Sequence, residues 1–271
     1  MSRLVGQRFR LAHANIKGTP KMRAEYVRSD LEVLAERAGI LALVEFRWSY
    51  YWTILGRVLK MTVAGDRRSS GPRWRTFPGL ARGIAAPVVG GQMFAWKADA
   101  WKRLKAKSWV LHLGAAAISE TRWIRAVVLA DRSVELALRM TLLVTHNVVG
   151  GDNRSDADRR EGILATDIDR IVKAVKWAKR RGHPVVLMLD ANIRASSDIY
   201  ATFIRRVVAE LGGEIVGRED GVEYVIVYQG ENGTRFVVDG TFEVQPKAHG
   251  GPLNTDHEVR GVTGHLERAA A

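Results

Sequence analysis

Apolar residues in this chain fall into short unbroken or alternating blocks, separated by turn-forming residues and by three longer stretches with helical spacing. The blocks 8–16, 40–44, 92–96, 108–113, 123–130, 136–145, 184–189, 222–228, 235–244 and 259–263 are short enough for strands. Several of them are apolar throughout, as strands buried on both faces are. The helical stretches are 20–38, 156–181 and a third beginning near Ser197. In the first, Met22, Tyr26, Val27, Leu31, Leu34 and Ala38 share one face, and Gly39 is suited to end it. In the second, Ile163, Leu164, Ile168, Ile171, Val172 and Val175 form the stripe, and Lys179, Arg180 and Arg181 sit favourably against the negative end of the helix dipole. In the third, Ile199, Phe203, Ile204, Val207, Val208 and Leu211 do the same. The blocks between 92 and 145 read as an antiparallel meander, and the basic, Gly/Ser-rich segment 66–75 reads as an exposed loop. Hairpin-like strands interrupted by helices favour two sheets packed face to face with helices outside, over one parallel sheet.

Metal- or phosphate-binding residue types recur where these strands end. Asn15 follows the first block, Glu45 the second, and Asp190-Ala191-Asn192 the block 184–189. Thr255-Asp256-His257 precedes the final block. Such residues at successive strand ends suit a strand-scaffolded site. At 271 residues the chain is expected to be one large domain, 1–271, and 46% hydrophobic residues suffice for a sizeable core. Cysteine is absent, so disulfides and thiolate metal sites are excluded. No apolar run approaches the ~18 residues of a membrane span, and residues 1–8 lack the apolar stretch of a secretory signal. The expectation is a cytoplasmic monomer that does not associate with membranes. A formal net charge of +13 favours polyanions, nucleic acid first. Dinucleotide and P-loop glycine signatures are absent.

Six pieces, in order, resemble the endonuclease/exonuclease/phosphatase superfamily, the DNase I-like fold that includes exonuclease III: Ala14-Asn15-Ile16, Val44-Glu45-Phe46-Arg47, Val144-Thr145-His146, Leu189-Asp190-Ala191-Asn192, Glu223-Tyr224-Val225-Ile226 and Thr255-Asp256-His257. They span nearly the whole chain. The resemblance implies a four-layer α/β sandwich of two mixed sheets flanked by helices, and a Mg²⁺- or Mn²⁺-dependent phosphodiesterase whose substrate is expected to be DNA. It implies Glu45 as main metal ligand with Asn15 beside it and Asp256 in support. Asp190 would aim or deprotonate the attacking water, and Asn192 would hold a phosphoryl oxygen. His257 would donate to the phosphate, with Glu223 orienting it where the family usually has Asp. His146 would be a second histidine on the phosphate. Asp239 is a rival to Glu223.

The same site suits smaller phosphate esters or lipid phosphates, and the charge alone suits a nucleic-acid binder without catalysis. Arg67, Arg68, Arg73 and Arg75 could grip a nucleic-acid backbone or be simply solvated. Trp48 to Trp52 could be core or a base-stacking platform. His13, His112, His183, His249 and His265 are assigned to surface or packing.

Overall fold

The structure, a computed structural model, describes residues 3–16, 24–46, 74–78, 91–112, 122–147, 157–193, 196, 199–217, 223–255 and 258–269. Its strands are β1 (Arg3–Val5), β2 (Phe9–Asn15), β3 (Ile40–Phe46), β4 (Trp74–Pro78), β5 (Gly91–Lys97), β6 (Trp101–His112), β7 (Arg122–Asp131), β8 (Arg139–His146), β9 (Val185–Asp190), β10 (Gly213–Ile215), β11 (Glu223–Tyr228), β12 (Thr234–Val244) and β13 (Val259–Ala269). The helices are α1 (Ala24–Arg37), α2 (Ala157–Lys179) and α3 (Ile199–Phe203).

The strands form two mixed sheets. In the first, β13 lies between β12 on one side and β1 and β2 on the other, and β3, β5 and β4 follow in that order. The second runs β10-β11-β9-β8-β7-β6. Each contains one parallel pair, β2 with β3 and β8 with β9. Parallel neighbours need a crossover, and here a helix supplies it: α1 between β2 and β3, α2 between β8 and β9.

Three apolar layers follow from strand alternation. Val27, Leu31 and Leu34 of α1 pack on Ala12, Leu41 and Leu43 at the outer face of the first sheet. Ile168, Ile171 and Val175 of α2, with Phe203 of α3, cover Leu143, Leu187 and Tyr224 at the outer face of the second. Leu11, Ile40, Val44, Phe94 and Val262 of the first sheet meet Val127, Leu142, Val144, Val186 and Val225 of the second in the middle. The result is the expected four-layer sandwich. Cutting one of these middle-layer side chains to Ala costs about 2–5 kcal/mol.

Three elements depart from the sequence expectation. Strand β5 is not part of the meander. It pairs with β3 and β4 in the first sheet, and the chain changes sheets at the turn between β5 and β6. Only β6, β7 and β8 form the meander. Trp74 and Arg75 belong to β4, a sheet edge, rather than to a loop. The third helix has only one α-helical stretch. It widens to a π-turn over Ile204–Val208, tightens to a 3₁₀ turn over Ala209–Leu211 and stops at Gly212 with φ 65°. The change of pitch keeps Val207, Val208 and Leu211 all buried.

Candidate active site at the polar end of the inter-sheet layer

The middle layer is apolar along most of its length and polar at one end. Parallel partners end together, so β2 and β3 deliver their last residues to the same edge as β8 and β9 do. Alternation then decides which side chains face inward. Leu11, Val144 and Val186 face the middle layer, so the residues an even number of steps beyond them, His13 and Asn15, His146, and Asp190, face it as well. His146 and Asp190 are direct register partners, and Asp190 is in turn the register partner of Glu223 on β11.

Glu45 reaches the same place differently. Simple alternation would put it on the outer face with Leu41 and Leu43, beneath α1. Between Leu43 and Phe46, however, β3 has three steps where β5 has two. This extra residue is a bulge, and Glu45 sits in it with φ 55°. A left-handed backbone at a residue other than glycine costs about 1–3 kcal/mol. Here it turns the carboxylate inward, so that Oε1 lies 3.6 Å from Nδ1 of His146 on the opposite sheet. Bulges re-aim side chains in this way beside active sites.

The four groups share one network. Asn15 Nδ2 donates to Asp190 Oδ2 at 3.0 Å, and His146 Nε2 lies 3.5 Å from the same oxygen. The backbone N–H of Asn192 donates to Asp190 Oδ1 at 3.3 Å. Arg122 is 2.7 Å from His146 Nδ1. A guanidinium only donates, so Nδ1 must present its lone pair, and the proton of a neutral His146 is on Nε2, facing Asp190. The arginine thereby holds the imidazole in one tautomer between two carboxylates.

A second set of bonds fixes the segment before Asp256. Asp30 of α1 accepts from the backbone N–H of Asn254 at 2.7 Å, from Asn254 Nδ2 at 2.8 Å and from the backbone N–H of Thr255 at 3.0 Å. Thr255 Oγ1 donates to the Asn15 carbonyl at 2.8 Å. Burial pushes the Asp30 carboxyl above its ordinary value, against the opposing pull of these donors. Thr255 is therefore tied to the strand end that carries Asn15.

Of the residues singled out in the sequence, Asn15, Glu45, His146, Asp190 and Asn192 come together. Asn192 has φ 50°, and its Nδ2 donates to the Asn147 carbonyl at 3.1 Å. Glu223 adjoins them, with Oε2 3.5 Å from Nδ1 of the fully buried His13, while its carbonyl accepts from Arg260 at 3.0 Å. Asp239 does not join the group. It pairs with Arg8 and His265, beside Gly264 and four residues along β13 from Arg260. Asp256 and His257 lie outside the described residues, as do Arg67, Arg68, Arg73 and the segment 48–52. Arg75 is in β4 rather than in a loop with the other arginines.

The sequence reading missed Arg122, Asp30, Arg260 and the setting of His13. None of the four has a local signal. Each is a polar residue inside an otherwise ordinary strand or helix, and its role depends on a neighbour distant in the chain.

Glu45 and Asn15 offer oxygen donors at adjacent strand ends. A hard cation such as Mg²⁺ takes few protein ligands and keeps water on the rest, so this sparse oxygen set suits it. Among the described residues no three His, Cys, Asp or Glu side chains form a metal-binding group. No described helix is long and apolar enough to cross a membrane.

No protein-family model and no curated protein matches the chain. Solved structures do. An endonuclease/exonuclease/phosphatase protein of Bacteroides vulgatus is 14% identical, with a TM-score of 0.68 over 97% of this chain and 99% of that one. TDP2 of D. rerio, complexed with a single-strand DNA product, is 11% identical, with a TM-score of 0.67 over 95% and 98%. A mannosyl-6-phosphatase of Bacteroides thetaiotaomicron is 10% identical, with a TM-score of 0.62 over 93% and 98%. The sandwich is thus the endonuclease/exonuclease/phosphatase fold.

Proposed function

We propose that this chain, with its endonuclease/exonuclease/phosphatase fold, is a single-domain phosphoesterase dependent on Mg²⁺ or Mn²⁺, and that its substrate is DNA. The observation that carries the reading is the Asn15–Asp190–His146–Glu45 network, built from the ends of two parallel strand pairs on opposite sheets. Such a set has little use in a core and fits phosphoryl transfer.

In this reading Glu45 and Asn15 hold the cation, with Asp256 in support. The cation supplies charge neutralisation at the phosphoryl oxygens. Asp190, oriented by Asn15 and by the Asn192 N–H, aims the attacking water and accepts its proton. His146, held in one tautomer by Arg122, is assigned to the phosphate as a second histidine. His257 donates to the phosphate as negative charge grows, and Asn192 uses its second amide N–H on another phosphoryl oxygen. Glu223 is assigned to orient His257, with His13 and Arg260 holding it in place. The charge of +13 and the DNA product bound to the D. rerio TDP2 structure favour a nucleic-acid substrate. Arg67, Arg68 and Arg73 are assigned to grip its backbone.

The test is supercoiled plasmid with Mg²⁺, Mn²⁺ or EDTA, using the protein and its Asp190→Asn variant. Nicking that needs metal and is lost in the variant supports the proposal. Hydrolysis of small phosphate esters without nicking would move the substrate to a smaller molecule. Salt-sensitive DNA binding without turnover of either would leave a non-catalytic binder.

A further inference from the structure

The polar end of the middle layer extends beyond the residues assigned above. Facing strands follow in order across the layer: β11 opposite β13, β9 opposite β2, β8 opposite β3, and β7 opposite β5. The first three pairings carry Glu223 with Arg260, Asp190 with Asn15, and His146 with Glu45. The fourth carries Arg125 on β7 and Gln92 on β5.

Arg125 is only 2% exposed and Gln92 1%. Arg125 shares the inner face of β7 with Val127, and Gln92 that of β5 with Phe94. Arg125 Nε and both polar atoms of the Gln92 amide are sealed from solvent, with no hydrogen-bond partner among the described residues. No described carboxylate pairs with Arg125, and burial pulls its guanidinium down to about 10. Among the described residues, the Trp123 ring lies against it, with its centroid 4.8 Å from the guanidinium carbon. A buried cation without a counter-charge is costly, and natural sequences rarely keep one without use.

The position is specific. Gln92 stands opposite the bulge that carries Glu45. Arg125 is paired with Val144, and Ile124 with Thr145, so Arg125 is the diagonal inner-face neighbour of His146. Such neighbours are about 7–8 Å apart. A phosphate held at His146, beside a cation on Glu45, would thus have Arg125 one group away. The guanidinium fork and an amide are donors matched to an oxoanion.

We propose that Arg125 and Gln92 form an anion subsite that takes a second phosphate group of the substrate, next to the one being cleaved. This rests on the phosphoesterase reading for its meaning, while the anion site itself can be measured without turnover. The first experiment is titration calorimetry and thermal unfolding with inorganic pyrophosphate, in the presence of Mg²⁺, on the full chain. Pyrophosphate is expected to bind and raise Tm, and Arg125→Met is expected to weaken that binding by ~10-fold or more, the size of a lost charge-assisted pair. Without ligand, Arg125→Met should unfold at the same temperature or higher, since a shape-similar apolar side chain replaces an unpaired charge. A lowered Tm with unchanged pyrophosphate affinity would mean that the arginine is structural and would overturn the proposal. Should Arg125→Met fail to fold, Gln92→Leu provides the same comparison, and undiminished pyrophosphate affinity there overturns it.

The second experiment separates the subsite from the chemistry. The wild type is compared on p-nitrophenyl thymidine 5′-phosphate and on its 3′-phosphorylated form. A lower KM for the doubly phosphorylated ester, lost in Arg125→Met while kcat/KM on the singly phosphorylated one stays within about twofold, supports the subsite. Equal loss on both esters overturns it. If the wild type hydrolyses neither, the phosphoesterase reading fails and the pyrophosphate result alone decides the subsite.

Discussion

The β2–α1–β3 and β8–α2–β9 units deliver polar side chains to one end of the middle layer by different means. In the second unit the job is done by register. His146 and Asp190 are cross-strand partners, both face inward by alternation, and both are nearly sealed from solvent. In the first unit Asn15 obeys alternation and Glu45 does not. Its carboxylate faces the middle layer only because of a bulge and a left-handed residue, and it stays 24% exposed. The difference separates two requirements. A group that handles a proton benefits from a fixed, dry setting. A group that receives a hydrated cation needs an open edge, and an irregular strand end provides one.

The largest effect expected is on the register-set side. Asp190→Asn should lower the turnover of a phosphodiester by ~10²-fold or more, and His257→Ala by a similar amount. The double variant should be little worse than either one, because both serve one step. Circular dichroism should show an intact fold. Losses that multiply would separate the two residues into different steps.

The bulge side should fail differently. Glu45→Gln should raise the metal concentration for half-maximal activity by about 10-fold or more, with turnover partly restored at saturating metal. Glu45→Gly should unfold at higher temperature than Glu45→Gln, because glycine relieves a left-handed backbone worth about 1 kcal/mol. If the glycine variant is the less stable of the two, φ 55° carries no strain and the bulge is a relaxed feature.

How far the sequence reveals this contrast follows from the same geometry. The register-set half is legible there: β8 and β9 carry short apolar runs, and His146, Asp190 and Asn192 appear at their ends. Asn15 and Glu45 are equally visible as residues. The bulge that makes Glu45 useful is not, because it exists only in the pairing of β3 with β5. The short strands β1, β4 and β10 carry too few residues for a pattern. The partners Arg122, Asp30 and Gln92 are invisible for a different reason. Each looks like an ordinary surface residue until the opposing element covers it.

A smaller effect should appear at His146. Nitrogen chemical shifts of the neutral ring should show the Nε2–H tautomer in the wild type. In Arg122→Met the guanidinium no longer selects that tautomer, so the Nδ1–H form should gain population. Identical tautomer shifts in both proteins would remove Arg122 from this role.

The smallest effect expected is in acid. The folded state raises the Asp30 carboxyl above its ordinary 3.8, so it binds a proton more readily folded than unfolded. Its contribution to stability is therefore fully present below 3.8 and lost as pH rises through the raised folded value. Relative to Asp30→Asn, the wild type should gain stability as pH falls from about 7 to about 4. Urea midpoints at the two pH values measure this, and a constant difference between the proteins would show that the carboxyl is not shifted.

The path of the chain through the two sheets also bears on when the polar network can be completed. The second sheet is built from one uninterrupted stretch, β6 to β11. The first is opened by β1 to β5 and completed only after the second is finished, when β13 enters with β12 on one side and β1 and β2 on the other. A strand that fills the middle of a sheet cannot be added late without leaving two unpaired edges until it arrives. On a ribosome the nascent chain would thus hold a half-open first sheet through most of its synthesis, with Asn15 and Glu45 in place but the Thr255 segment not yet made. A polar network assembled in this order is complete only once β13 has docked and brought the Thr255 segment to Asn15.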